Sequence, residues 1–434
     1  MTIQTVTVLG VTGTMGVNVA GIFASFGNAK VYCVGRDIEK VKRTIPRIVK
    51  SVRADAIGSN LIPVDFSMLE ECVSKSDLIF ESTKEDIEVK TEIAKRVASS
   101  MKNDAVSCTG TSGLSITNIA ECYSENLKSR FFGVHMFNPP YSMPLCEFIP
   151  TKYSDRNIAE MLKEYLKKQL IRTVVEIKDS PAFLANRIGF QFINEALQYA
   201  EKYKDNGGID YIDAILGPFT GRAMAPLTTS DFVGLDVHKA IVDNVYSNTK
   251  DYANNIFLFP EFAKKLIDEG KLGRKTCGGL YQLIKYDNGL KRQTVYDINS
   301  ALYRDVLPYT FPFAEKMKKH FHNGNYQLAF DRLVNNHSLE AKICLSFLLK
   351  YIVYSLFAAD EVGYSVESSD DVMATGFNWC PPLAMYQALS LATDVPNLIH
   401  ERIPEICEKV DVDYYLSKVQ PSKYDFRPYF RSGR

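Results

Sequence analysis

The chain has 434 residues, with 51 lysines and arginines against 51 aspartates and glutamates, so its formal net charge is zero. That balance gives no electrostatic reason to expect a nucleic acid or an anionic membrane as partner. The length suits two or three domains, and the nine cysteines, with no C-x-x-C pair, argue for a reducing, cytoplasmic setting and against a disulfide framework or a zinc site.

Val6-Thr-Val-Leu-Gly10 alternates and is β-rich, Gly10-Val-Thr-Gly-Thr-Met-Gly16 breaks it, and Val17 to Phe26 continues with helical apolar spacing. Gly27 ends that helix, and Lys30-Val-Tyr-Cys-Val34 predicts a second strand. Strand, glycine turn, helix and strand in this order are the setting of a dinucleotide site, with the pyrophosphate on the amides of the helix N-terminus. Gly10, Thr12, Gly13, Thr14, Met15 and Gly16 are the candidate contacts; the spacing G-x-x-G-x-x-G is one residue longer than the usual G-x-G-x-x-G. The second strand runs into Gly35-Arg36-Asp37. An acidic residue there usually accepts from the adenosine ribose hydroxyls. Arg36 instead suits a 2′-phosphate, while a shifted register brings Asp37 to the ribose. The residues lean to NADP and leave NAD open.

Asp77-Leu-Ile-Phe80, Ala105-Val-Ser-Cys108, Phe131-Phe-Gly-Val-His135 and Thr173-Val-Val-Glu-Ile177 are further strand-like segments alternating with helical ones. They predict a Rossmann-type doubly wound α/β sheet over residues 1–179. From Ser180 the pattern is helical, with strand character only near Gly279-Leu-Tyr281. Polar, irregular stretches at 284–292 and 322–325 suggest a boundary and two all-α domains, 180–290 and 291–434. Ile343 to Phe357, interrupted by Lys350, reads as a buried helix too short to span a bilayer, and no signal peptide is expected before the first strand. The final residues, rich in Tyr, Phe, Arg and Pro, read as a tail packed on the fold.

One segment carries chemistry. Gly133-Val-His-Met-Phe-Asn-Pro-Pro is followed, twelve residues after its histidine, by Glu147. An imidazole beside a carboxylate makes an acid–base dyad, because the carboxylate fixes the tautomer. A strand histidine by itself is more often a core residue, so the weight falls on the segments around it. His320 and His322 flank Phe321 in a polar stretch without a nearby carboxylate or cysteine set, so no metal site is expected, and His238, His337 and His400 stand alone and are read as structural.

Seven segments in collinear order, from residue 5 to about 281, resemble the 3-hydroxyacyl-CoA dehydrogenase family. Besides the glycine turn, Glu81-Ser-Thr-Lys-Glu-Asp-Ile-Glu-Val-Lys90 resembles E-A-x-x-E-x-x-x-V-K, and Thr111-Ser-Gly-Leu-Ser-Ile-Thr117 resembles T-S-S-L-x-I-T. Gly133 to Glu147 is similar to the G-x-H-F-F-N-P dyad segment, and Asp179-Ser-Pro-Ala-Phe-Leu-Ala-Asn-Arg187 to D-x-P-G-F-x-x-N-R. Ala225-Pro-Leu-Thr-Thr-Ser-Asp-Phe-Val-Gly-Leu-Asp236 and Lys271-Leu-Gly-Arg-Lys-Thr-Cys-Gly-Gly-Leu-Tyr281 resemble G-P-F-x-L-x-D-x-V-G-L-D and L-G-x-K-x-G-x-G-F-Y.

The resemblance implies hydride transfer between a nicotinamide cofactor, NAD in the family, and C3 of a 3-hydroxyacyl thioester. His135 is then the base, Glu147 its orienting carboxylate, Ser112 a donor to the substrate oxygen, and Asn186 a second contact in the pocket. Asn138 is implied near the nicotinamide, with Ser82, Glu85 and Lys90 on the cofactor side. The expected substrate is acyl-CoA. A shortened segment before Asp77 and a basic face of Lys40, Lys42, Arg43, Arg47, Lys50 and Arg53 keep an acyl carrier protein or a free hydroxy acid open. A non-catalytic nucleotide-binding protein is the alternative of another class, opposed by the intact Ser112, His135, Glu147 and Asn186.

Beyond Tyr281, residues 346–363 echo 190–201, and 368–383 echo 209–227. The echo suggests a degenerate second copy of the helical domain that covers the first in cis, and hence a monomer.

Overall fold

The computed structural model describes residues 2–276, 278–285 and 289–430. Its contacts divide the chain into two compact units, one running to Phe183 and taking in Val362–Tyr364, the other comprising Leu184–Glu361 and the residues from Ser365 on.

The first unit is built on an eight-stranded sheet in the order β3-β2-β1-β4-β5-β6-β7-β8. The strands are β1 (Thr5–Leu9), β2 (Lys30–Gly35), β3 (Leu61–Asp65), β4 (Leu78–Glu81), β5 (Val106–Thr109), β6 (Phe131–Met136), β7 (Leu145–Ile149) and β8 (Thr173–Glu176). Neighbours are parallel except β6 and β7, which pair antiparallel. The helices are α1 (Thr14–Ser25), α2 (Ile38–Val52), α3 (Leu69–Lys75), α4 (Ile87–Ser100), α5 (Ile116–Ala120), α6 (Glu125–Lys128) and α7 (Arg156–Glu164). Parallel strands covered on both faces need continuous apolar runs, and β4, β5, β6 and β7 are buried along their whole length. Val19, Ile22 and Phe23 of α1 join Val6, Val8, Phe80 and Phe132 of the sheet in one core cluster. The sheet order reverses direction at β1, with β2 on one side and β4 on the other, and such a switch point opens a crevice at the C-terminal ends of the strands.

The six strands expected from sequence are present, and β3 and β7 are added to them. β3 is broken by Pro63 and only part-buried, so its pattern is weak. β7, beyond the Asn138-Pro-Pro140 turn, is only five residues long and has a carboxylate, Glu147, at its centre.

The second unit is helical: α8 (Ala185–Lys202), α9 (Ile209–Ile215), α10 (Pro226–Val233), α11 (Leu235–Asn248), α12 (Glu261–Asp268), α13 (Pro312–His322), α14 (Tyr326–Val334), α15 (Leu339–Val362), α16 (Glu367–Val372), α17 (Pro382–Ser390) and α18 (Val395–Arg402), then short turns to Phe430. It is not all-α, as expected. Tyr281–Lys285, Lys291–Asp297 and Leu302–Asp305 form an antiparallel sheet, β9 to β11, across the stretch read from sequence as irregular. Its strands are only partly buried, with charged residues at their ends and pairs such as Arg292–Asp305 across them, so they lack a regular apolar alternation.

The apolar run around Lys350 also differs from expectation. α15 has 24 residues and is long and apolar enough by length and composition to cross a membrane, yet 83% of its apolar window is buried inside the fold. Lys350 Nζ lies 2.9 Å from Glu195 Oε1 of α8, so its charge is met within the unit.

Candidate active site

The glycine turn joins β1 to α1 at the switch point. Gly10 has φ +82°, and a Cβ there would lie 2.2 Å from the Ser82 carbonyl oxygen; at Gly16 it would lie 2.2 Å from the Gly10 carbonyl oxygen. Both glycines are therefore required by the chain's own packing, and Ser82 forms the opposite wall of the turn. Gly13 is different, because a Cβ there would meet only the Gly10 carbonyl oxygen, at 3.4 Å. Thr12, Gly13 and Thr14 are exposed and Met15 is half-buried. The start of α1 has no side-chain cap and no acid in its first turn. By contrast, Asp37, Asp86 and Asp155 cap α2, α4 and α7. Uncapped amides at the positive end of a helix favour an anion, so these residues fit the pyrophosphate of a dinucleotide.

β4 ends in Glu81, which sequence reasoning quoted only as part of a motif. Its Oε1 accepts from the Thr83 amide and hydroxyl, both at 2.6 Å, and its Oε2 from the Thr109 hydroxyl at 2.6 Å. Lys90 Nζ lies 3.0 Å from both oxygens. Burial opposes the charge on Glu81, but Lys90 and the hydroxyl donors of Thr109 and Thr83 outweigh it and hold the carboxyl below its usual range. Lys90 reaches on to Glu85 at 3.5 Å. Glu85 Oε1 in turn accepts from the Thr111 hydroxyl and, at 2.8 Å, from the Ser112 amide. A buried cation thus fixes the loop after β5, and Ser112 stands exposed on it. An acid closing an otherwise apolar strand, nine residues before a lysine, was the signal for Glu81.

The dyad follows from strand register. β6 and β7 pair so that His135 faces Glu147, and directly opposed residues of antiparallel strands bring their side chains within reach. His135 Nδ1 lies 2.7 Å from Glu147 Oε2, with Glu147 fully buried and His135 nearly so. An ionised carboxylate only accepts, which assigns the proton to Nδ1 and leaves Nε2 open to exchange one with a ligand. Phe137 and Phe183 pack on the imidazole, with ring centroids at 4.6 and 5.4 Å. Asn138, in a cis peptide bond with Pro139, accepts from Asn18 Nδ2 at 3.0 Å and so ties the β6–β7 turn to α1. Neither aromatic wall nor Asn18 was anticipated; nothing in their local sequence marks them.

Asp179 anchors the chain as it leaves the sheet, accepting from the Ser115 hydroxyl and the Ile116 and Thr117 amides at 2.8–3.0 Å. Ala182 and Phe183 then both adopt left-handed conformations, φ 59° and 56°. Asn186 belongs to the second unit, buried in the first turn of α8 beside Arg187, which pairs with Asp251 at 2.9 Å. Within the first unit, the glycine turn, Ser82, Glu85, Lys90, Ser112, His135, Glu147 and Asn138 gather at one end of the sheet. Such an arrangement can hold a dinucleotide and can exchange a proton at Nε2. Among the described residues, no group of three or more His, Cys, Asp or Glu could hold a metal ion.

Comparison with known proteins places this geometry. The family model for the NAD binding domain of 3-hydroxyacyl-CoA dehydrogenase matches residues 5–180, and that for the C-terminal domain matches residues 183–283. A probable 3-hydroxyacyl-CoA dehydrogenase of Bacillus subtilis is 28% identical over 80% of this chain and 44% of its own length. Human mitochondrial hydroxyacyl-coenzyme A dehydrogenase is 30% identical over 64% of this chain and 91% of its own length. Among solved structures, 3-hydroxybutyryl-CoA dehydrogenase from Escherichia coli shares the fold over 96% of this chain and 99% of its own, with TM-score 0.71 and 21% identity. The chain spans only 44%, 41% and 52% of the length of three of the curated relatives it matches. On the matched residues, the chain belongs to the 3-hydroxyacyl-CoA dehydrogenase family.

Proposed function

We propose that the protein transfers hydride between a nicotinamide dinucleotide and C3 of a 3-hydroxyacyl or 3-ketoacyl thioester, with CoA as the carrier. The observation that carries the proposal is the 2.7 Å contact of His135 Nδ1 with buried Glu147, which leaves Nε2 as the one ring position for proton exchange. In the oxidative direction the C3–H bond breaks with its electron pair, and the C3 hydroxyl proton passes to His135 Nε2. When bound, the nicotinamide supplies the hydride acceptor. Glu147 accepts from Nδ1–H throughout, holding the ring and balancing the imidazolium that forms. The Ser112 hydroxyl, held out by Glu85, donates to the C3 oxygen where negative charge gathers in the reductive direction. Asn138 contributes an amide on the nicotinamide side. Reduction of acetoacetyl-CoA, followed as loss of nicotinamide absorbance with NADH and with NADPH, tests the proposal. Absence of turnover with both nucleotides across several acyl lengths contradicts it.

We also infer that the helices beyond Tyr281 repeat the earlier ones and cover them in cis. Two local arrangements support the repeat. Asp213 of α9 accepts from the Leu227 amide at 2.7 Å at the Pro226 start of α10; Asp370 of α16 accepts from the Leu383 amide at 2.8 Å at the Pro382 start of α17. Burial pushes both carboxyls up to about 6. The long helices preceding them, α8 and α15, meet through Phe192 and Phe347 at 5.1 Å and through Glu195 and Lys350.

A further inference from the structure

The end of β2 carries a feature at odds with a cofactor whose ribose is unphosphorylated. β2 runs beside the glycine turn, where the Gly10 and Val11 amides donate to the Val34 carbonyl at 3.0 and 3.4 Å. Its last residue is Gly35. A Cβ at this position would lie 2.6 Å from Val41 Cγ2 and 3.4 Å from Thr12 Cγ2, so an acidic side chain has no room unless Val41 shifts. Asp37 is the next acid, and it is engaged. Its Oδ1 accepts from the Glu39 and Lys40 amides at 3.0 and 3.2 Å as the cap of α2, and its Oδ2 faces Lys40 Nζ at 3.8 Å. β2 therefore ends without an acid of its own, and Asp37 is held as the cap of α2.

Cations stand there instead. Arg36 is exposed and has no hydrogen bond or ion pair among the described residues. Lys40 stands one helical turn further, its side chain 73% exposed. Exposed Arg43 continues the cationic side, while Lys42 is matched by Glu39 at 2.8 Å. A planar guanidinium offers a fork to two phosphate oxygens, and an ammonium adds a point charge from another direction. A bare 2′-hydroxyl gives neither of them a charge to meet.

We propose that Arg36 and Lys40 clamp a phosphomonoester on the 2′-oxygen of the adenosine ribose, so that the protein selects NADPH over NADH. The proposal rests on the dinucleotide reading of the glycine turn and is independent of the acyl substrate. The 3′-phosphate of CoA has the same chemistry, and the test separates the two sources. Nucleotide fluorescence titrations give Kd for NADPH and NADH with the wild type, Arg36→Ala and Lys40→Ala, and initial rates give KM for acetoacetyl-CoA. The wild type is expected to bind NADPH at least tenfold more tightly than NADH. Arg36→Ala is expected to raise the NADPH Kd on the order of 10- to 100-fold, the worth of charged hydrogen bonds, with NADH within about threefold and KM for acetoacetyl-CoA unmoved. Lys40→Ala follows in the same direction with a smaller change. A wild type that prefers NADH, an Arg36→Ala loss shared equally by both nucleotides, or a loss confined to the CoA thioester overturns the clamp. NADPH preference without turnover of acetoacetyl-CoA defeats the proposed reaction and leaves the clamp standing.

Discussion

His135 and His238 show how little a histidine says until its neighbours are known. Both lie in apolar segments. His135 has Glu147 opposite it on the next strand at 2.7 Å. His238 is fully buried in α11, its Nδ1 2.8 Å from the Ser230 hydroxyl, its Nε2 without a partner among the described residues, and its ring against Phe190 and Phe259 at 5.0 and 5.1 Å. Burial lowers its pKa from 6.5 to about 3. The unfolded chain therefore binds a proton below about pH 6.5 that the folded protein refuses, and stability falls as pH drops from there towards 3. Relative to His238→Asn, the wild type is expected to lose about 2 kcal/mol between pH 7 and pH 5. Asp213, Asp231 and Asp370, raised to about 6, act in the opposite direction but equally in both proteins. Urea titrations at the two pH values check this. Parallel curves for wild type and variant would mean that His238 is charged or hydrated in the folded state.

At the scale of elements, the site is made by strand ends, and the buried pair joining β4 to α4 is its anchor. Lys90 and Glu81 are almost wholly removed from solvent, at 1% and 9% side-chain exposure. A buried pair adds little by itself, but removing one partner strands the other charge at a cost of about 3–5 kcal/mol. Lys90→Met is therefore expected to destabilise by that amount, and adding Glu81→Gln should recover part of the loss, as read by denaturant midpoints. A single-variant loss under 1 kcal/mol would show that Glu81 is neutral or solvated.

The same elements show what the sequence could reveal. β1, α1 and β2 were legible because apolar spacing changes period at a glycine turn; the His135–Glu147 dyad was legible through its motif and the family resemblance, whereas β7, whose pairing sets the two residues opposite, was not. β9 to β11 were not, since their short runs mix apolar and charged residues and are only partly buried, with no regular alternation. Ala182, where the resembling motif has glycine, was visible as a departure, but its φ of 59° was not. That conformation costs a non-glycine residue about 1–2 kcal/mol. Phe183, next to it and also left-handed, is thereby turned onto His135.

At the scale of the whole molecule, the repeated helices bear on oligomeric state. A single helical domain that exposes an apolar face of dimer size needs a partner, and under the proposed repeat a second copy in the same chain would take that place. Light scattering is expected to give the monomer mass, 48.9 kDa. A concentration-independent dimer would contradict the in-cis reading.

His135, oriented by Glu147, is proposed to move the proton that accompanies hydride transfer at C3 of an acyl thioester. The most direct measurement is kcat for acetoacetyl-CoA reduction by wild type and His135→Gln, with nucleotide Kd taken on the same preparations. The variant is expected to show a kcat lower by about 10²–10⁴-fold, the contribution of a positioned acid–base group, with nucleotide affinity unchanged. A variant that binds nucleotide and turns over at nearly the wild-type rate would contradict it.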